Sequence, residues 1–454
     1  MVVEGARTDL SSLPRLAAVV ATALVAAGCA VTPVPSATSV ETLPHRARLP
    51  NGLTVILTEQ RAADVAAVQL WVRVGARDEA DADSGLSHFI EHLLFKGTPT
   101  LGPGVIDRTI SGFGGEVNAA TSQDFTYYRI VIPARHVETA VDVVADAAMH
   151  ASFDPVEIER ERLVVLEEIR RAQDNPGGYL WRFLARHHFA GHPYGRPVLG
   201  TPESIRSARR EQIVEYYRQY YVPNNATIVV IGNIDRERLL AHVRRTFAGW
   251  EPRSLPESRV PPAPEITAIR RAEEPRPLQQ AYLGIAWRGP VVPDPDVYAV
   301  DVLTSILGRG RASRLNQALK EERGLVSSVG ASFQGQRDAG MIAVTARTTA
   351  ARRDEVETAL LVEIERLRTS LVGEAEIARA LTAVEAGYAF GQETAERVAY
   401  AYGLAETVWT LEFELGYLDA VRKVTREQVR EAARRYLTPD RFTAALLTPR
   451  NGAQ

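Results

Sequence analysis

The sequence predicts an α+β protein built as two homologous halves. Three observations carry that reading. Segments that alternate apolar and polar residues are interleaved throughout with longer segments of 3.6-residue apolar period, the marks of strands and helices. A break from Glu251 to Pro277 holds seven prolines and little apolar periodicity, so residues 251–277 read as a linker between one domain, 45–250, and another, 278–454. On each side of the break the same order recurs: "DPVEIERERLVVLEEIRRAQDNP" and then "REQIVEYYRQYYVPNNATIVVIG", against "GEAEIARALTAVEAGYAFGQET" and then "REQVREAARRYLTPDRFTAALLT". Such a repeat is most economically two copies of one α+β unit.

Composition sets the broad class. With 45% apolar and 24% charged residues, the 454-residue chain belongs with ordinary globular proteins and not with disordered or fibrous ones. A net charge of −3 with no basic stripe removes the electrostatic footprint that nucleic-acid binding needs, so no nucleic-acid partner is expected.

The elements follow in chain order. An apolar run from Leu16 to Gly28 comes after Arg7 and Arg15 and is short for a membrane span, so residues 1–29 read as a signal peptide. The run ends Ala26-Ala27-Gly28-Cys29, which resembles the lipobox of bacterial lipoproteins, and Cys29 is the only cysteine. Lipidation at Cys29 would anchor the mature chain to a membrane on the periplasmic side. Ala30 stands where inner-membrane lipoproteins commonly carry aspartate, so the expected location is the outer membrane. Residues 30–44, rich in Pro, Ser and Thr, read as a flexible tether. Leu53 to Glu59 and Val65 to Gly75 read as strands.

"SGLSHFIEHLLFKGT", Ser84 to Thr98, reads as a helix capped by Asp83 or Ser84 and stopped near Gly97. His88 and His92 lie one turn apart and project from one face, with Glu91 beside them. The apolar residues between them imply a buried helix, and buried imidazoles need partners. Two imidazoles at this spacing suit a divalent zinc ion, and H-x-x-E-H is the inverzincin order of a zinc site. A third protein ligand is still required. The helix opening at Asp154-Pro155 supplies candidates. Glu161 and Glu168, seven apart, fall together at the edge of its apolar stripe, whereas Glu157, Glu159 and Glu167 read as charged surface. Periodicity favours Glu168 or Glu161 without choosing between them.

"HFIEHLLFKGT" together with "IERERLVVLEEI" resembles the pitrilysin/insulinase family of zinc metallopeptidases, in the branch of the mitochondrial processing peptidases and their short bacterial homologues. Further matches are "FGGEVNAATSQDFTYY", "YGRPVLGTPESI" and "GRASRLNQALKEERGL", so the likeness spans essentially the whole mature chain. The resemblance implies a mostly antiparallel sheet with packed helices in each half, the two closing like a clam around a chamber. It implies Glu168 as the third ligand of one Zn²⁺ per chain, since 75 residues lie between His92 and Glu168, as in the family. Glu161 takes the family's second acidic position and would orient a ligand. Glu91 is then expected to take the proton of the zinc-activated water and pass it to the leaving amine. Asn118 and Ala119 are implied on an edge strand that pairs with extended substrate.

The second half departs from this pattern. Aligning Ile377 with Ile158 puts Ala380 and Gly387 where Glu161 and Glu168 stand, so one half only is expected to be catalytic. Lys320 and Ser327 occupy the positions of the family's substrate-clamping arginine and tyrosine. Lys320 remains a candidate peptide contact. The missing phenol implies a homodimer, or a heterodimer with a metal-free homologous subunit. The expected activity is hydrolysis of extended peptides or small unfolded proteins; the alternative is a peptide-binding or assembly subunit that does not cleave.

Overall fold

The structure is a computed structural model that describes residues 43–258 and 260–450. The apolar leader, Cys29 and nearly all of the tether lie outside the described residues. The first half runs β1 His45–Arg48, β2 Thr54–Glu59, β3 Val65–Val72, α1 Leu86–Leu94, α2 Val105–Gly112, β4 Glu116–Thr121, β5 Thr126–Pro133 and α3 Val137–His150. It continues with α4 Pro155–Asp174, α5 Pro176–His188, α6 Pro202–Ser207, α7 Arg210–Tyr220, β6 Ala226–Gly232 and α8 Arg236–Thr246. The second half opens with β7 Arg270–Arg276, β8 Ala281–Gly289, α9 Asp296–Gly308, a π-helical segment Asn316–Glu322, β9 Ser328–Gln334 and β10 Gly340–Thr348. It closes with α10 Arg353–Thr369, α11 Glu374–Gly391, α12 Ala395–Val408, α13 Leu411–Val421, α14 Arg426–Tyr436 and β11 Thr443–Pro449.

Two sheets form, with strand orders β1-β2-β6-β3-β5-β4 and β7-β11-β8-β10-β9. Apart from β1, the second order repeats the first strand for strand. Each sheet has a single parallel pair at the matching place, β2 with β6 and β7 with β11, and is otherwise antiparallel. The duplication read from the sequence is therefore present in the topology.

One boundary needs correction. Residues 270–276, read as linker, form the edge strand β7, which pairs only with β11. Pro275 hid it: proline cannot donate to a ladder and is confined to edges, and this strand is an edge. Its half-exposed, charged sequence also lacks the apolar face by which strands are recognised.

Each sheet buries two faces. The first packs one face on its own helices around Leu70, Phe89, Ile130 and Val144, and the second does the same around Ile285, Leu303, Val344 and Leu360. The opposite faces are covered by an exchange. α5 from the first half lays Leu180, Phe183 and Leu184 on Ala286, Met341 and Ala343 of the second sheet. α12 from the second half lays Val398, Ala399 and Tyr402 on Ala67, Trp71 and Val229 of the first. Gly403 permits this approach, since a Cβ there would stand 2.0 Å from Trp71 Nε1. The halves are thus interlocked through two apolar cores and are not joined by the linker alone.

A polar bridge reinforces the junction. Arg77 Nη2 pairs with Asp338 at 2.7 Å, Tyr194 donates to Asp124 Oδ1 at 2.7 Å, and the Arg337 amide donates to Asp124 Oδ2 at 3.2 Å. Asp124 sits in the turn between β4 and β5. The β9–β10 turn of the second half therefore holds the end of the first half's edge strand.

Candidate metal centre

α1 begins at Leu86 after Gly85, whose φ of 93° is left-handed. Neither Asp83 nor Ser84 caps it by side chain, which corrects the sequence expectation. The buried carboxylate of Glu79 does so instead, accepting from the Gly85 and Ser87 amides at 2.8 Å each. A carboxylate at a helix N-terminus satisfies orphan amides and meets the positive end of the dipole. Full burial pushes its carboxyl up to about 8, against the pull of those amides. No pattern in the sequence points to Glu79, because a cap six residues upstream follows no helix rule.

α4 is capped as expected. Asp154 Oδ1 accepts from the Val156 amide at 2.7 Å, and Pro155 fills the first turn. Glu161 is buried, while Glu167 lies on the surface paired with Arg170 and Arg171. Glu157, read as surface, is in fact buried at 8% exposure and neutralised by Arg160 at 2.6 Å.

The two helices bring His88, His92 and Glu168 together, the one group among the described residues able to hold a metal ion. Glu168 Oε2 stands 3.5 Å from His88 Nε2 and 3.4 Å from His92 Nε2. Ligand atoms about 2.0–2.1 Å from a tetrahedral zinc stand about 3.3–3.4 Å from one another, so the donor set fits the ion. Glu161 is not in the group. Its carboxylate accepts from His92 Nδ1 at 3.0 Å and pairs with Lys96 Nζ at 2.8 Å, which fixes the ring with Nε2 toward Glu168.

The electrostatics suit a divalent cation. Burial opposes charge on His92, but Glu161 and Glu168 outweigh it and lift the imidazole to about 9. Burial and then the charge of His92 push His88 down to about 4, against Glu168. The hydrogen bond from His92 holds Glu168 below the usual carboxylate range. His88 is thus held neutral, the form that ligates a metal, and the two carboxylates Glu161 and Glu168 favour positive charge at the site.

Glu91 is raised by burial, and Thr121 Oγ1 donates to its Oε2 at 2.6 Å. Thr121 was not foreseen: it ends β4, thirty residues away in sequence. β4 is the free edge of the first sheet, and it carries Asn118 and Ala119 as the resemblance implied. The Ala119 amide is occupied by Asn118 Oδ1 at 2.8 Å and not by β5, so it points to the open side of the strand. Lys320 lies exposed in the π-helical segment of the second half, and no described contact joins it to the metal cluster. Ser327 Oγ accepts from Arg347 Nε at 2.9 Å. A cleft of about 1830 Å³ lies between the halves. None of the three ligands lines it, but Thr121 and Ile169, the neighbours of the site, do.

A duplicated α+β fold with His88, His92 and Glu168 converging from two helices defines a two-domain fold with a candidate metal centre. The comparisons place the chain within it. Residues 54–202 match the insulinase model, peptidase family M16, and residues 207–384 match the M16 inactive-domain model. An uncharacterized zinc protease of Mycobacterium bovis is 32% identical over 89% of this chain and 93% of its own. One of Bacillus subtilis is 28% identical over 88% and 97%. The crystal structure of a protease from Helicobacter pylori shares the fold with a TM-score of 0.85 at 23% identity, covering 90% of this chain and 100% of its own. The chain belongs to the insulinase (M16) peptidase family, and the two relatives above are named zinc proteases.

Proposed function

We propose that the chain is a zinc-dependent endopeptidase or oligopeptidase that hydrolyses extended peptides or small unfolded proteins. The observation that carries this reading is the shared approach of two imidazole nitrogens to one carboxylate oxygen of Glu168, at 3.4 and 3.5 Å, with Glu91 on the same helix. His88, His92 and Glu168 would hold one Zn²⁺, which supplies Lewis acidity to the scissile carbonyl and to the attacking water.

The chain's own residues do the rest. Glu161 keeps His92 in ligating orientation, and Lys96 keeps Glu161 in place. Glu91 takes the water proton with the carboxylate oxygen that Thr121 leaves free, then returns it to the leaving amine. Burial raises Glu91 toward the range in which both transfers are possible. The open side of β4 receives the substrate as an added strand, with Asn118 releasing the Ala119 amide to it. The proposal extends to an exported chain anchored through Cys29 and working as a homodimer or beside a metal-free homologue.

Zinc content and Glu91→Gln test it together. About one zinc per purified mature chain, retained in Glu91→Gln while cleavage of a quenched peptide falls at least a hundredfold, is the expected result. A metal-free wild type that binds peptides without cutting them would replace it with the peptide-binding reading.

A further inference from the structure

The metal face of β4 carries Ala119 and Thr121; the opposite face has no role in the mechanism. On that face the register places Asn118 opposite Arg129 and Gln69, and Ala120 opposite Tyr127 and Trp71. Directly paired residues share a face, so a peptide strand added beyond β4 projects alternate side chains over Asn118 and Ala120 toward the same surface. Ala120 has no side chain beyond Cβ to obstruct them.

Beside Tyr127, the cross-strand partner of Ala120, lies a pocket of about 270 Å³ lined by Gln69 and Tyr127 and by Tyr388, Tyr400 and Glu414 from the second half. Tyr127 and Tyr400 meet edge to face at 5.4 Å and Trp71 stacks on Tyr127 at 4.5 Å, so an aromatic cluster borders the pocket. The charged groups nearby are already engaged. Arg397 donates to the Phe390 carbonyl at 2.8 Å and pairs with Glu393, while Glu396 pairs with Arg129. Glu414 is the exception, with no cation against it. Burial alone acts on its carboxyl and pushes it up to about 7. A half-buried carboxylate that shares a pocket with tyrosine rings and has no partnering cation among the described residues is short of one.

We propose that this pocket is a substrate subsite for a lysine or arginine side chain, reached across Ala120 from the strand added to β4. Its apolar stem would lie along Ala120 and Tyr127, and its charge would meet Glu414 and the tyrosine faces. The inference rests on the peptidase reading for the origin of that strand.

The test uses the zinc-loaded mature chain carrying Glu91→Gln, so that binding is read without cleavage. Fluorescein-labelled alanine-based decapeptides carry a single lysine or its neutral isostere norleucine, moved one position at a time. At one position lysine should bind about tenfold more tightly than norleucine, and adding Glu414→Gln should bring that ratio close to one. Tyr400→Leu should lower it by a smaller factor, and it serves alone if Glu414→Gln does not fold. A flat ratio at every position, or one that neither variant moves, overturns the subsite. A ratio that behaves as described while wild-type enzyme cuts none of these peptides overturns the peptidase reading and leaves the subsite standing.

Discussion

The two halves share a topology and differ in what stands on it. In the first, α4 presents Glu161 and Glu168 to the imidazoles of α1. In the second, the equivalent α11 presents Ala380 and Gly387, and the vacated space is filled. Arg309, just past α9, lies against Gly387, with Nη2 2.7 Å from where a Cβ would be. Asp301 on α9 is half-buried and accepts from the Tyr417 hydroxyl at 2.7 Å. The duplicated fold thus supports either a metal or a closed polar packing at the same place. The two positions on α4 and α11 decide which together with the two histidines of α1, which have no counterpart in α9.

The comparison can be broken most sharply at the metal. Glu168→Ala should lose zinc and lower peptide cleavage by about a thousandfold or more, whereas Gly387→Ala, which only crowds Arg309, should leave zinc content unchanged. Metal analysis beside a cleavage assay separates the two. Loss of zinc from the second variant would mean that the halves are not functionally distinct.

The exchanged helices predict the next largest effect. Phe183→Ala on α5 removes a ring from the second sheet's core and should cost about 3–5 kcal/mol of unfolding free energy. Tyr402→Ala on α12 should do similar damage to the first sheet. Calorimetry of each should give one shared transition, since neither half covers both faces of its own sheet. Two separate transitions would show that the interlocking is not energetically real.

Glu414 sharpens the comparison through pH. Its folded pKa lies above the unfolded value, at about 7. Between about pH 4.5 and 7 the folded state therefore holds more protons than the unfolded state, and stability falls as pH rises. Glu414→Gln removes that dependence. The variant should be more stable than wild type at pH 8, by at most about 3 kcal/mol, with the gap vanishing near pH 4. Denaturant titrations at the two pH values give the sign directly, and a wild type that gains on the variant as pH rises would contradict the burial of this carboxylate.

The smallest expected effect concerns Thr121. Thr121→Val keeps the shape of the side chain but removes the hydrogen bond to Glu91, so kcat should fall about tenfold with zinc content intact, the equivalent of about 1.4 kcal/mol. Thr121→Ser should restore most of it. An unchanged kcat in Thr121→Val would mean that Glu91 is positioned by α1 alone.

What the sequence alone determined was local or repeated. The i, i+4 spacing of His88 and His92 fixes them on one face of one helix whatever surrounds it. The recurrence of helix-then-strand segments fixes two copies of one unit. Asp154 and Pro155 fix where α4 begins. The tertiary structure decided everything that depends on distance across the chain. Glu161 and Glu168 share a stripe of α4, and only the approach of α1 sets Glu168 against both imidazole Nε2 atoms and Glu161 against His92 Nδ1. Glu79 and Thr121 serve the metal helix from outside it, and α5 and α12 cross to the opposite sheets. Periodicity reports which face of an element is buried, never against what; the partner is chosen by the packing of segments tens to hundreds of residues apart.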